Sequence, residues 1–123
     1  MFGHIAGTPT ISEGLAVAPI PLLGEVVALT ANTGVVQWRK KVSPARGSVT
    51  IVGRKVFFAT THKSYAVLDM HTGQSLCEAP LPQTLDRAAL TVLGETGVLV
   101  FSDGMIRAAP VREWMECLVD FPR

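Results

Sequence analysis

Val27-Ala28-Leu29-Thr30-Ala31-Asn32-Thr33-Gly34 returns further along the chain as Ala66-Val67-Leu68-Asp69-Met70-His71-Thr72-Gly73, an apolar run closed each time by threonine and glycine. The two glycines, at positions 34 and 73, stand 39 residues apart. A fixed period of this size marks a repeat architecture, in which one unit cannot bury its apolar face alone and stacks on a neighbour. Glycine suits the end of each turn because a positive φ costs it no Cβ clash. The chain is therefore modular.

Working outward from these turns, short runs of β-formers alternate with glycine, proline and asparagine, the pattern of many strands and few helices. The first unit gives candidate strands at 8–12, 15–18, 25–30 and 35–40, with a tight turn at Glu13-Gly14 and an apolar loop at 19–24. The second repeats the plan at 48–52, 55–60, 64–69 and 74–78. The third gives 89–93, 98–102 and 105–109, with a turn over 94–97 and an Asp103-Gly104 hairpin signal. Its fourth strand is expected within 111–119; a short helix over 112–118 is the alternative, because no threonine-glycine marks the start and Pro110 intervenes. The fold class is all-β: about three four-stranded antiparallel units of β-propeller blade size, at 7–42, 47–80 and 88–119 of a single domain spanning 1–123. Closed propellers use four to eight blades, so this is a partial β-propeller.

Val27-Ala28-Leu29, then Thr33-Gly34 and then Trp38, resembles the repeat of the pyrroloquinoline-quinone-dehydrogenase-like propellers, and Gly7-Thr8-Pro9-Thr10 resembles their blade opening. The second unit keeps Ala66, Leu68, Asp69, Thr72 and Gly73 but carries Cys77 in place of the tryptophan. The resemblance implies that Trp38 docks adjacent blades, and that Gly34 and Gly73 belong to the same structural apparatus. It also implies two roles. Noncatalytic members, the outer-membrane assembly propeller among them, are interaction platforms, whereas the dehydrogenases hold a quinone and calcium at the central axis beside a catalytic aspartate. None of those cofactor residues can be matched here by position. A WD-repeat reading fits less well, since no Trp-Asp pair stands at the right places.

Bulk properties narrow the function further. With 123 residues, 48% hydrophobic and 17% charged, the chain has the composition of a folded domain. A net charge of +1 without long charge runs argues against a nucleic-acid partner. The apolar stretch at 15–23 is interrupted by Pro19 and Pro21 and is too short for a membrane span. No basic-then-apolar leader opens the sequence, so a cytoplasmic location is expected, with a mature periplasmic fragment as the alternative.

Catalytic, cofactor-binding and metal-binding residues are all expected to be absent, because no nucleophile elbow, zinc helix, phosphate loop or Cys-x-x-Cys pair occurs. His4, His62 and His71 are too scattered to enforce a metal site. Cys77 and Cys117, 40 residues apart, are expected on outer strands of different blades as two free, partly buried thiols. Arg39, Lys40, Lys41 and Arg46 fit a solvated sheet edge. Within the apolar loop, Ile20, Leu22 and Leu23 are the candidate partner-contact residues; the competing reading folds Ile20 and Leu22 back on the blade. The expected function is a non-enzymatic scaffold or complex subunit, its ring completed by self-association or by a protein partner. The alternative is a fragment or subunit of a quinoprotein dehydrogenase.

Overall fold

The computed structural model describes residues 9–45, 49–83, 90–101 and 103–121. They form three antiparallel meanders and one short helix. The first sheet contains β1 (Thr10–Ser12), β2 (Leu15–Ile20), β3 (Glu25–Thr30) and β4 (Val36–Lys41) in sequence order. The second contains β5 (Thr50–Val52), β6 (Lys55–Ala59), β7 (Ser64–Asp69) and β8 (Ser75–Pro80). The third is three-stranded, with β9 (Leu90–Leu93), β10 (Thr96–Val100) and β11 (Ile106–Pro110), followed by α1 (Val111–Met115).

The middle sheet is buried on both faces, which is why β6 and β7 are almost continuously apolar. Period-two alternation divides their side chains between two cores. Val56, Phe58, Ala66 and Leu68 pack toward the first sheet with Val17, Val26 and Trp38. Phe57, Ala59, Tyr65 and Val67 pack toward the third with Leu90, Leu99 and Trp114. Each large side chain buried in this way is worth about 1.5–3 kcal/mol.

The repeat also extends into polar contacts between sheets. Thr10 Oγ1 donates to the Val49 carbonyl at 2.9 Å, and Thr50 Oγ1 donates to the Leu90 carbonyl at 3.0 Å. These bonds tie the first strand of each sheet to the start of the next sheet. The outer strands share a register as well. Ala28 pairs Trp38 and Val67 pairs Cys77, and each pair is followed by an irregularity before Leu29 or Leu68 finds its partner.

Two elements differ from the sequence reading. β2 runs through Pro19 to Ile20, and a 3-10 turn at Pro21–Leu23 then leads to Gly24 at φ 66°. Pro19 fits there because, among the described residues, β1 pairs β2 only as far as Val17, so its missing N–H costs no described ladder bond. In the third sheet the helical alternative holds. Pro110 ends β11, and the chain turns into α1 instead of a fourth strand.

Candidate functional site

The first sheet docks on the second through one side chain and one turn. The turn is built by Asp69, whose Oδ1 accepts the His71 amide at 2.8 Å and the Thr72 amide at 3.1 Å. Those bonds, the His71 one foremost, hold the Asp69 carboxyl below its ordinary range. The Gly73 amide closes the turn on the Asp69 carbonyl at 2.8 Å. Gly73, at φ +75°, presents a bare Cα against the indole of Trp38. A Cβ there would lie 2.7 Å from both Cδ2 and Cε3 of the ring. Trp38 Nε1 donates to the Met70 carbonyl at 2.8 Å, so the indole is fixed at its face and at its polar edge.

Gly34 sits in a turn of the same construction. Its amide donates to the Thr30 carbonyl at 2.8 Å, Thr30 N donates to Val35 O at 2.8 Å, and Ala31 N donates to Gly14 O at 2.9 Å. Their counterparts, Gly73 to Asp69, Asp69 to Gln74 and Met70 to Arg54, are each 2.8 Å. The φ of Gly34 is +73°. Among the described residues nothing lies within 4 Å of the place its Cβ would take.

The second and third sheets are joined differently. Cys77, at the tryptophan's register position, is bonded to Cys117, with 6.2 Å between their Cα atoms. This corrects the expectation of two free thiols. That expectation put Cys117 on an outer strand, whereas α1 turns the chain back and delivers it to β8. The same turn buries Trp114, whose Nε1 donates to the Gly97 carbonyl at 3.0 Å. A Cβ on Gly97 would lie 2.6 Å from the ring, and Phe57 meets Trp114 edge-on with centroids 5.9 Å apart. Tyr65 is packed beside it, and burial pushes its hydroxyl up to about 12. The Val119 backbone offsets that in part, and among the described residues the hydroxyl has no formed hydrogen bond.

The apolar loop is divided by the fold. Ile20 is interior at 3% exposure, whereas Leu22 and Leu23 are exposed. Trp38 and Gly73 therefore meet at the joint between the first and second sheets, Gly34 lies in an exposed turn with nothing packed on it among the described residues, and Leu22 and Leu23 form a separate exposed turn. His62 and His71 occupy exposed turns, and His71 Nε2 lies 3.4 Å from Glu13 Oε2. Arg39 meets Glu25 at 3.2 Å at the sheet edge; His4 and Arg46 lie outside the described residues. Among the described residues no three His, Cys, Asp or Glu side chains gather as a metal site. No described helix is long and apolar enough to cross a membrane.

The third sheet has one further exposed surface. Leu93, Val100 and Ile106 fall on the face opposite Leu90, Leu99 and Ala109, and are 65%, 52% and 65% exposed. Val98 and Ala108 lie between them on the same face. It is a blade face without a blade against it among the described residues.

Two four-stranded meanders and a three-stranded one, stacked through indole-on-glycine packing at the first joint and a disulfide at the second, define three blades of a partial β-propeller. More particularly, the fold is that of the pyrroloquinoline-quinone-like propellers. BamB from Moraxella catarrhalis superposes with a TM-score of 0.69 at 23% identity, over 86% of this chain and 33% of that one. A quinohemoprotein alcohol dehydrogenase from Pseudomonas putida gives 0.69 at 18% identity, over 85% and 18%. A europium-containing methanol dehydrogenase gives 0.68 at 15% identity, over 89% and 24%. The chain thus spans a third or less of these neighbours' lengths. No protein-family model and no curated protein matches the sequence.

Proposed function

We propose that the chain is a non-enzymatic β-propeller module that scaffolds a protein complex, its ring completed by blades from another copy or a partner. The observation that carries this reading is the apolar outer face of the third sheet, with Leu93, Val100 and Ile106 all more than half exposed. The equivalent face of the middle sheet is buried by the next blade. An apolar face of this kind marks an interaction surface. The test is the mass of the purified assembly, by light scattering, for the native chain and for a Leu93→Ser, Ile106→Ser variant. A species heavier than the 13.1 kDa monomer, lost in the variant, is expected. A cooperatively folded 13.1 kDa monomer, in the source extract and purified, overturns the reading.

The Cys77–Cys117 bond supports an oxidising compartment over the cytoplasm. Full reactivity of both thiols in protein taken directly from its source would reverse that. Two of the structural neighbours are dehydrogenases, which keeps a quinoprotein piece as the second reading. Stoichiometric binding of pyrroloquinoline quinone with calcium would favour it.

A further inference from the structure

We infer that the cavity beside Cys117 is an entry site for a dithiol, which opens the Cys77–Cys117 bond and releases residues 117–121 as a redox-controlled flap over Tyr65. The site lies at the joint between the second and third sheets, away from the outer face that carries the scaffold reading. Access comes first. A cavity of about 530 Å³ runs between residues 79–82 and the segment after α1, with Ala79 and Leu81 on one side and Cys117, Val119 and Phe121 on the other. Both cysteines are half-buried, and Cys117 lines this cavity whereas Cys77 does not. An incoming thiolate therefore meets Cys117.

The exchange is balanced without any further reagent. One thiolate of the dithiol attacks Cys117 Sγ, the bond to Cys77 breaks, and Cys77 leaves as a thiolate that takes up a proton. The second thiol then resolves the mixed disulfide: the dithiol is oxidised to its disulfide, and Cys117 leaves as a thiol.

Three features confine the release to 117–121. The first is a hinge. Cys117 N donates to Trp114 O at 3.2 Å and Leu118 N to Glu113 O at 2.8 Å, a helix ending whose left-handed position is usually glycine. Here that position is Cys117, at φ +58°, a conformation that a residue with a Cβ leaves readily once nothing holds it there. The second is the set of anchors. Beyond the disulfide, the described polar contact from 117–121 to a sheet is Arg107 Nε on the Asp120 carbonyl at 3.2 Å, alongside the packing of Val119 and Phe121. α1 is held separately, by Trp114 on Gly97. The third is the leaving sulfur. Cys77 Sγ lies 3.6 Å from the Met115 carbonyl, which can accept from it only when Cys77 is a thiol. Reduced Cys77 thus keeps α1 on β8 while Cys117 departs. Beneath the flap lies Tyr65, fully buried beside the Val119 backbone, its hydroxyl without a formed hydrogen bond among the described residues. Lifting Val119 gives that hydroxyl water, which offsets part of the cost of opening.

The experiment reduces the full-length oxidised protein with dithiothreitol in native buffer and follows hydrogen exchange by two-dimensional NMR. The amides of Cys117, Leu118 and Val119 should exchange about tenfold faster or more, while the Trp114 indole proton on Gly97 stays protected. N-acetylimidazole should acetylate Tyr65, the chain's one tyrosine, in the reduced protein and leave it untouched in the oxidised protein. With the monothiol glutathione in place of the dithiol, mass spectrometry should find the mixed disulfide on Cys117. Unchanged exchange and an unreactive Tyr65 after complete reduction overturn the flap. A mixed disulfide on Cys77 overturns the entry site. Loss of Trp114 protection together with the far-ultraviolet circular dichroism signal would make the bond a staple for the whole joint, and that too overturns the flap.

Discussion

Gly34→Ala and Gly73→Ala make the same chemical change in turns of the same geometry, and only the second meets an indole. At Gly34 the added methyl enters open space, so the cost is that of an L-residue at φ +73°, about 1–2 kcal/mol. At Gly73 the same backbone cost applies at φ +75°, and the methyl would also stand 2.7 Å from two ring atoms of Trp38. The ring is rigid, and its other side is packed in a core with Val26, Phe58 and Leu68, so either the turn lifts or the indole withdraws. Lifting the turn breaks the bond to the Met70 carbonyl, worth about 1 kcal/mol. Withdrawing the indole costs part of the ~3–5 kcal/mol of a full tryptophan truncation. We therefore expect Gly73→Ala to destabilise by about 3–5 kcal/mol and Gly34→Ala by about 1–2 kcal/mol. Urea unfolding followed by circular dichroism measures both. A cycle with Trp38→Ala isolates the contact: without the indole, Gly73→Ala should cost no more than Gly34→Ala. Equal costs for the two alanines in the native background would refute the docking argument.

Three further outcomes follow from the same geometry. Replacing Cys77 and Cys117 together with serine opens a loop closed across 40 residues, and should cost about 4 kcal/mol by loop entropy, read as a lower urea midpoint. Tyr65→Phe removes a buried hydroxyl without a formed hydrogen bond, so stability should hold or rise by about 1 kcal/mol; a loss above that would mean the hydroxyl has a true partner. Asp69 has a folded pKa below the ordinary carboxylate range, so its stabilising effect is present above that range and is lost as pH falls through the folded pKa. Thermal melts of Asp69→Asn should therefore show a shallower decline than the native protein below about pH 4.

What the sequence revealed depended on whether the information was local. Strands β5 to β8 were legible because both faces of their sheet are buried, leaving apolar runs separated by Gly53 and Gly73 in left-handed turns. Trp38 was legible as a docking residue through its repeat position, although its acceptor, the Met70 carbonyl, has no sequence signature. Ile20 was hidden because Pro19 suggested a strand end, whereas β2 continues through Pro19, paired with Val26 of β3. The disulfide was illegible for a different reason. It depends on α1 reversing the chain after Pro110, and equal spacing in a repeat argues for equivalent strands instead. Gly97 gave no signal either, since its neighbour Trp114 is known only once that reversal is drawn.

The two inter-sheet joints carry different consequences for assembly. Between the first and second sheets, docking is noncovalent and repeats a turn that is present again, open, at Gly34. Between the second and third, Cys77 has replaced the tryptophan, and a bond to Cys117 with Trp114 wedged on Gly97 closes the joint. That second arrangement takes the segment where a fourth strand was expected, so among the described residues the third sheet ends on β11 and offers an apolar face. Among the described residues the two outer sheets are therefore unlike: the first carries at Gly34 a turn of the docking kind with nothing packed on it, the third an exposed face of aliphatic side chains.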